Sequence, residues 1–304
     1  MRAASAEFSE VTVEIREFGE AAEGFGVREA SALDAWRNWC QGRISDKLGA
    51  IDPPFESPMV LKGKTAVVTG AAGTTGLAVV RALLEDGAQV ALVDIDALRL
   101  DGLVRFLRGT TVAVSCDISD PGAVRQAHQQ IEKVLGPVDV LVNNAGILSN
   151  DKAEATGDAE WRRVMAVNVD GAFFWSRAVL PSMKKREWGR IVNICSLAAK
   201  TGGLTAGTAY ATSKGAMTSL TFSLARETAA HGVTVNGISP AYVKTPMVTE
   251  QLTEAQRRQL LSQIPVGRFC EPEEFAHAVR FLVSPLAGFI TGEILDVNGG
   301  LHMD

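Results

Sequence analysis

"VVTGAAGTTGLAV", residues 67–79, passes from a Val-rich run through three glycines spaced three apart and into the helical pattern "GLAVVRALLEDG". An apolar run, a glycine turn and an amphipathic helix, in that order, open a parallel β/α fold. Gly70 permits the tight turn, and Gly76 lets helix and sheet pack closely. Free N–H groups at the helix start attract an anion. The stretch therefore marks a pyrophosphate site, with Thr74 and Thr75 in its first helical turn.

The same alternation continues along the chain. "TAVVTG" (65–70), "QVALVDI" (89–95), "VAVSCDI" (112–118), "VDVLVNNAG" (138–146), "RIVNICS" (190–196), "VTVNGIS" (233–239) and "GEILDVNGG" (292–300) are short and rich in Val and Ile. Runs buried on both faces suit parallel strands, and the intervening segments are long enough for crossover helices. The expected fold is α/β, a doubly wound, Rossmann-type parallel sheet of about seven strands in one domain.

Residues 1–60 stand apart from this pattern. Val11, Val13 and Ile15 in "VTVEI" fall on one side, as in a half-exposed strand, while Leu33, Trp36, Cys40 and Ile44 share a helical face. "DPPFESP" (52–58) is a stiff, breaker-rich linker. The expected division is an N-terminal extension, 1–60, and a catalytic domain, 61–304. The extension is either a packing arm, on its own domain or a neighbouring subunit, or a poorly ordered tail.

Composition narrows the function classes. The chain has 304 residues, 46% hydrophobic and 21% charged, with a net charge of −5. That balance argues against nucleic acid as a partner, because phosphate-backbone binding rests on clustered Lys and Arg. No apolar run approaches the roughly 18 residues of a membrane span. Cys40, Cys116, Cys195 and Cys270 form no CxxC pair, which reads as reduced thiols in a cytoplasmic protein and no metal site.

Asp94 ends the second strand, eighteen residues after Gly76. An acidic side chain near that offset meets the adenosine ribose hydroxyls of a dinucleotide and repels a 2′-phosphate. Ile95 and Asp96 follow, with no Lys or Arg, so NAD is expected over NADP. Asp117 and Ile118 at the next strand end are placed to bracket the adenine. Asn144, Ala145 and Gly146 end the fourth strand on the same carboxyl edge.

Tyr210 and Lys214 in "YATSK" are four apart and share a helix face. A free phenol is a poor base at neutral pH. A neighbouring ammonium and a cationic nicotinamide ring both favour the phenolate. Tyr210 is then equipped to take a proton from an alcohol as hydride leaves its carbon, or to return one to a carbonyl. Ser196, at the end of the fifth strand, is placed to hold the same oxygen.

Taken together, "TGAAGTTG", Asp94, "NNAG", "NVDG", "IVNICS", "YATSK", "NGISPAYVKTPM" and "ITGEILDVNGG" resemble the short-chain dehydrogenase/reductase family, single-domain branch, over roughly residues 61–304. The resemblance implies Ser196, Tyr210 and Lys214 as the catalytic set. It adds Asn168 as a fourth member, positioning a water that relays protons through Lys214. It also implies Pro240, Val243 and Thr245 around the nicotinamide, and a homo-oligomer, tetramer or dimer, built through the helices carrying Asn168 and Tyr210. Four positions depart from the family pattern: Thr74 where glycine is usual, Cys195 for Ser, Ala241 for Gly, and one extra residue between Ser196 and Tyr210 near "KTGGLTAGT".

The glycine spacing itself is closer to TGxxGxxG of the extended branch, which includes sugar-nucleotide epimerases and dehydratases. That branch expects a C-terminal substrate domain, whereas this chain ends four residues after "DVNGG". The favoured reading is an NAD-dependent oxidoreductase acting on a secondary alcohol or ketone: a polyol or sugar, a hydroxy acid, or a 3-oxoacyl compound. The rival from another class is a non-catalytic NAD-binding scaffold. Residues 248–265, polar and helical, are expected to form a lid over the substrate.

Overall fold

A computed structural model describes residues 60–245 and 253–303, which belong to the compact unit Ser57–Asp304. The expected strand at 11–15, the helical face of Leu33, Trp36, Cys40 and Ile44, and the linker at 52–58 lie outside these residues. Seven parallel strands form one sheet in the order β3-β2-β1-β4-β5-β6-β7. They are β1 (Thr65–Thr69), β2 (Gln89–Asp94), β3 (Thr111–Ser115), β4 (Val140–Asn143), β5 (Gly189–Ile194), β6 (Val233–Pro240) and β7 (Ile294–Val297). The expected doubly wound sheet is thus present, strand for strand.

Helices cover both faces because adjacent strand residues point to opposite sides. Val68 and Leu92 face a core shared with α1 (Thr74–Glu85) and α9 (Pro272–Val283). Val67, Val93 and Leu141 face the other core, with α3 (Pro121–Leu135), α5 (Gly171–Lys185) and α7 (Thr208–Thr228). Short helices α2 (Ala97–Val104), α4 (Asp158–Met165) and α6 (Ala198–Thr201) and the helix α8 (Glu254–Gln263) complete the set among the described residues. Among them no helix is long and apolar enough to cross a membrane.

Helix boundaries follow their local chemistry. Asp120 caps α3 by accepting the Gly122 N–H, Pro121 occupies its first position, and Gly136 at φ 85° ends it. Glu271 and Glu274 form a reciprocal capping box on α9, again with proline at the first position.

The chain builds β1 to β3 outward, then returns to place β4 beside β1, in register Ala66↔Val140 and Val68↔Val142. That reversal is the topological switch point, where open α/β sheets gather ligands beyond their carboxyl ends. Every catalytic candidate lies on or near this edge.

A buried ion pair joins the end of α1 to α9. Asp86, just after α1, is 3% exposed and accepts from Arg280 on α9 through both carboxylate oxygens, from Nε at 2.9 Å and from Nη2. Removing one partner of such a pair leaves a buried charge uncompensated, at about 3–5 kcal/mol. Arg280→Met is expected to lower the unfolding free energy in urea by about 3 kcal/mol, and Asp86→Asn added to it to recover part of that loss. A change below about 1 kcal/mol would show a pair screened like a surface one.

Candidate active site

The site begins where β1, α1 and β4 meet. Gly70 turns at φ 64°, and a Cβ there would lie 2.8 Å from the Ala145 Cα. A Cβ on Gly76 would overlap the Gly70 carbonyl oxygen. Both glycines are therefore required for close approach of backbone. The Asn144 carboxamide locks the junction: it donates to the carbonyls of Thr69 (3.0 Å) and Gly70 (3.2 Å) and accepts from the Thr75 hydroxyl (3.1 Å). The Thr69 hydroxyl oxygen accepts the N–H groups of Asn144 and Ala145, each at 3.1 Å. Gly73 is the N-cap of α1 without a side-chain cap, and Thr74, half-buried, is the first helical residue. The first-turn N–H groups are thus available to an anion.

Along the edge, Asp94 ends β2 half-buried. Its carboxylate accepts the Ala72 N–H at 3.0 Å and the Asp96 N–H at 3.2 Å. The glycine turn and Asp94 are therefore held to each other, and each carboxylate oxygen retains a further lone pair. Ile95 beyond it is 69% exposed. Asp117 accepts from the Ser119 N–H (2.9 Å) and hydroxyl (2.7 Å). Ile118 follows it at the same strand end. It is 7% exposed and packs in the core, where a Cβ on Gly171 would meet its Cδ1 at 2.6 Å.

At the chemistry end, β5 delivers Ser196 and α7 delivers Tyr210 and Lys214. Lys214 is 4% exposed and donates to the Ile194 carbonyl at 2.6 Å, with its ammonium 5.7 Å from the centre of the Tyr210 ring. The Ser196 hydroxyl oxygen accepts the Ala198 N–H at 3.1 Å, so its own proton is uncommitted by that bond. Asn168 lies in a π-helical turn, Ala166–Asp170, just before α5. Its carboxamide accepts the Ile147 N–H (2.8 Å) and donates to the Ile147 carbonyl and the Ser213 hydroxyl, each at 3.0 Å. Ser213 in turn donates to the Tyr210 carbonyl at 2.7 Å. A Cβ on Gly146 would lie 3.3 Å from Asn168 Oδ1 and 3.4 Å from Lys214 Nζ, so the glycine admits both groups.

A cavity of about 490 Å³ gathers Thr75, Asn144, Gly146, Ser196, Tyr210, Lys214, Pro240, Val243 and Thr245. Gly70, Thr74, Gly76, Asp94, Ile95, Asp117, Ile118 and Ala145 do not line it; they lie along or near the same edge. Asn168 sits behind the wall at 1% exposure. Val243 is held by a parallel bridge to Cys270, and the Lys244 N–H donates to the Cys270 carbonyl at 2.8 Å. Cys195 is buried under β6, and burial pushes its thiol up despite the nearby Lys214. Of the expected lid, α8 is present and Leu260 reaches the cavity, while residues 246–252 lie outside the described residues.

Sequence reasoning marked the loop near "KTGGLTAGT" by its extra residue but missed the residues that hold this part of the wall. The loop after α6 turns through Gly202 and Gly203, both at positive φ, and the Lys152 ammonium clamps it by donating to the carbonyls of Gly203 (3.2 Å) and Ala206 (2.6 Å). Thr205 of this loop meets Tyr242, the second of the chain's two tyrosines. The available signal was the tyrosine inside the "SPAYVKTPM" segment; Lys152 carried none, since its partners are some 50 residues away.

A family model described as enoyl-(acyl carrier protein) reductase matches residues 70–302. The chain is 39% identical over 246 residues to the 3-oxoacyl-(acyl-carrier-protein) reductase FabG of Vibrio cholerae, spanning 81% of this chain and 100% of that protein. The enzyme of the same name from Escherichia coli is 36% identical over the same shares of both chains. The galactitol 2-dehydrogenase (L-tagatose-forming) of Cereibacter sphaeroides is 41% identical over 243 residues, 79% of this chain and 95% of that protein. Seven parallel strands, the glycine turn at the switch point and these matches together place the chain in the short-chain dehydrogenase/reductase family.

Proposed function

We propose that this protein is an NAD-dependent dehydrogenase that interconverts a secondary alcohol and its ketone, with Tyr210 as general acid and base. Oxidoreduction between alcohol and ketone comes with the family; the cofactor, the residue roles and the substrate are this proposal's own content. The observation that carries it is the convergence of the Tyr210 phenol, the buried Lys214 ammonium and the Ser196 hydroxyl on one cavity.

The edge fits a dinucleotide. Gly70 and Gly76 keep the turn free of Cβ atoms, the uncapped start of α1 suits a pyrophosphate, and Asp94 is available to a ribose diol. Thr245 and the backbone near Val243 are placed to hold the nicotinamide end in the cavity. When bound, the nicotinamide supplies the hydride acceptor or donor. Ser196 donates its free proton to the substrate oxygen and fixes its position. Tyr210 removes the hydroxyl proton in oxidation or returns it in reduction. Lys214 stabilises the phenolate electrostatically, in a site where burial strengthens that attraction. Asn168 acts as a positioning residue that joins the Ile147 backbone to Ser213 on the catalytic helix. The water-relay role implied by the resemblance is compatible with this, since the Asn168 carboxamide oxygen accepts the Ile147 N–H and keeps a second acceptor site.

Asp94 supports NAD over NADP, since a carboxylate repels a 2′-phosphate. The names of the relatives point to 3-oxoacyl compounds and to polyols, and both classes fit a 490 Å³ cavity with an apolar wall and a few polar groups. A homo-oligomer, dimer or tetramer, goes with the half-exposed rings of Trp161, Phe173 and Phe222 on α4, α5 and α7. A cytoplasmic location goes with the free thiols Cys116, Cys195 and Cys270.

An assay over polyols, hydroxy acids and 3-oxo esters with NAD(H) and NADP(H) tests the proposal. Wild-type protein that binds NAD yet turns over none of them would contradict it in favour of a binding scaffold. Tyr210→Phe is expected to lower kcat by about a thousandfold while leaving the NAD dissociation constant within about threefold. An active Tyr210→Phe enzyme would remove the phenol from the mechanism. Asp94→Ala is expected to shrink the preference for NAD over NADP by about tenfold or more; unchanged preference would assign the choice elsewhere.

A further inference from the structure

Thr205 and Tyr242 reach into the cavity from two separate segments, the loop between α6 and α7 and the turn after β6. Their hydroxyl oxygens are 3.3 Å apart. Much of the surrounding wall is apolar, with Leu197, Leu204, Ala206 and Leu260. Each residue's segment is held by contacts that do not involve the other. The Tyr242 ring meets Phe269 edge-on with centroids 6.3 Å apart, and the Tyr242 carbonyl accepts the Cys270 N–H at 3.0 Å. The loop bearing Thr205 is pinned by Lys152 on either side, at Gly203 and Ala206.

Hydroxyl pairs normally close to about 2.7–2.8 Å, so a bond of 3.3 Å is a weak one. Each hydroxyl carries one donor and two acceptor sites, and their mutual bond uses one of these on each side. A polar ligand atom therefore finds the Tyr242 phenol, bonded only weakly to Thr205, on a largely apolar wall, and it displaces little to bind it.

We infer that Tyr242 is a specificity-determining residue that hydrogen-bonds a second oxygen of the substrate, away from the carbon that is oxidised or reduced. The enzyme accordingly selects substrates bearing two oxygens, such as a polyol or a 3-oxo ester, over plain secondary alcohols and ketones. This inference rests on the dehydrogenase reading and narrows its substrate.

The test is steady-state kinetics on matched pairs that differ in oxygen content: galactitol against 2-hexanol in oxidation, and ethyl 3-oxobutanoate against 2-pentanone in reduction. The quantity read is the ratio of kcat/KM within a pair. Wild type is expected to favour the oxygen-rich member. Tyr242→Phe keeps the ring and its contact with Phe269, and is expected to cut that ratio by about tenfold. Thr205→Val leaves the phenol in place and is expected to hold the ratio within about twofold of wild type. An unchanged ratio in Tyr242→Phe overturns the inference. An equal fall in both variants also overturns it, by making the pair a latch that shapes the wall. Wild type separates the two levels: no turnover of either member of a pair, with NAD still bound, contradicts the dehydrogenase reading, whereas turnover with an unchanged ratio in Tyr242→Phe contradicts this inference alone.

Discussion

The carboxamide of Asn144 is the joint on which the site depends. It binds the carbonyls of Thr69 and Gly70 and the hydroxyl of Thr75, so the exit of β1, the glycine turn and the start of α1 form one unit with the end of β4. The arrangement works only because Gly70 and Gly76 carry no Cβ where backbone closes on backbone. From there the chain runs through Gly146 to Ile147, whose N–H and carbonyl are both held by Asn168. Asn168 also binds Ser213, and Ser213 binds the Tyr210 carbonyl. The glycine turn and the helix that carries Tyr210 and Lys214 are thereby connected through a continuous series of part-buried and buried hydrogen bonds.

Charge supplies the second constraint. An ammonium as buried as that of Lys214 is expensive unless polar groups surround it. Here it has the Ile194 carbonyl at one end and the face of the Tyr210 ring nearby. A positive charge thus stands near the Tyr210 phenol, and Ser196 opens on the same cavity with a proton to donate. In this account the protein spends its buried polarity on one side of the cavity and leaves much of the facing wall apolar, apart from a few hydroxyls.

Much of this was legible in the residues. The strands were readable because a parallel sheet covered on both faces needs continuous Val and Ile, as in "TAVVT" and "RIVNI". The Ser196, Tyr210 and Lys214 set was readable because helix periodicity and strand ends put side chains in known directions. Other features depended on distant partners. Ile118 reads as a strand-end residue, yet Gly171 on a helix more than 50 residues away opens the space that buries it. Asn168 reads as part of an ordinary helix, because a π-helical turn leaves no mark in a 3.6-residue pattern. The clamp of Lys152 and the meeting of Thr205 with Tyr242 come from loops brought together only by the sheet. Thr74, the departure within the glycine turn, is accommodated because Gly73 takes the N-cap and Thr74 becomes the first residue of α1.

The central claim, direct hydride transfer between a secondary alcohol and a nicotinamide beside Tyr210, is tested most directly by isotope tracing. An alcohol that the wild-type enzyme oxidises is supplied with deuterium at its carbinol carbon, and the reduced nicotinamide is recovered and analysed by mass and by proton resonance. The account predicts one deuterium per turnover on the nicotinamide ring, on a single face, with none washed out to solvent. Reduced nicotinamide recovered without deuterium would contradict it.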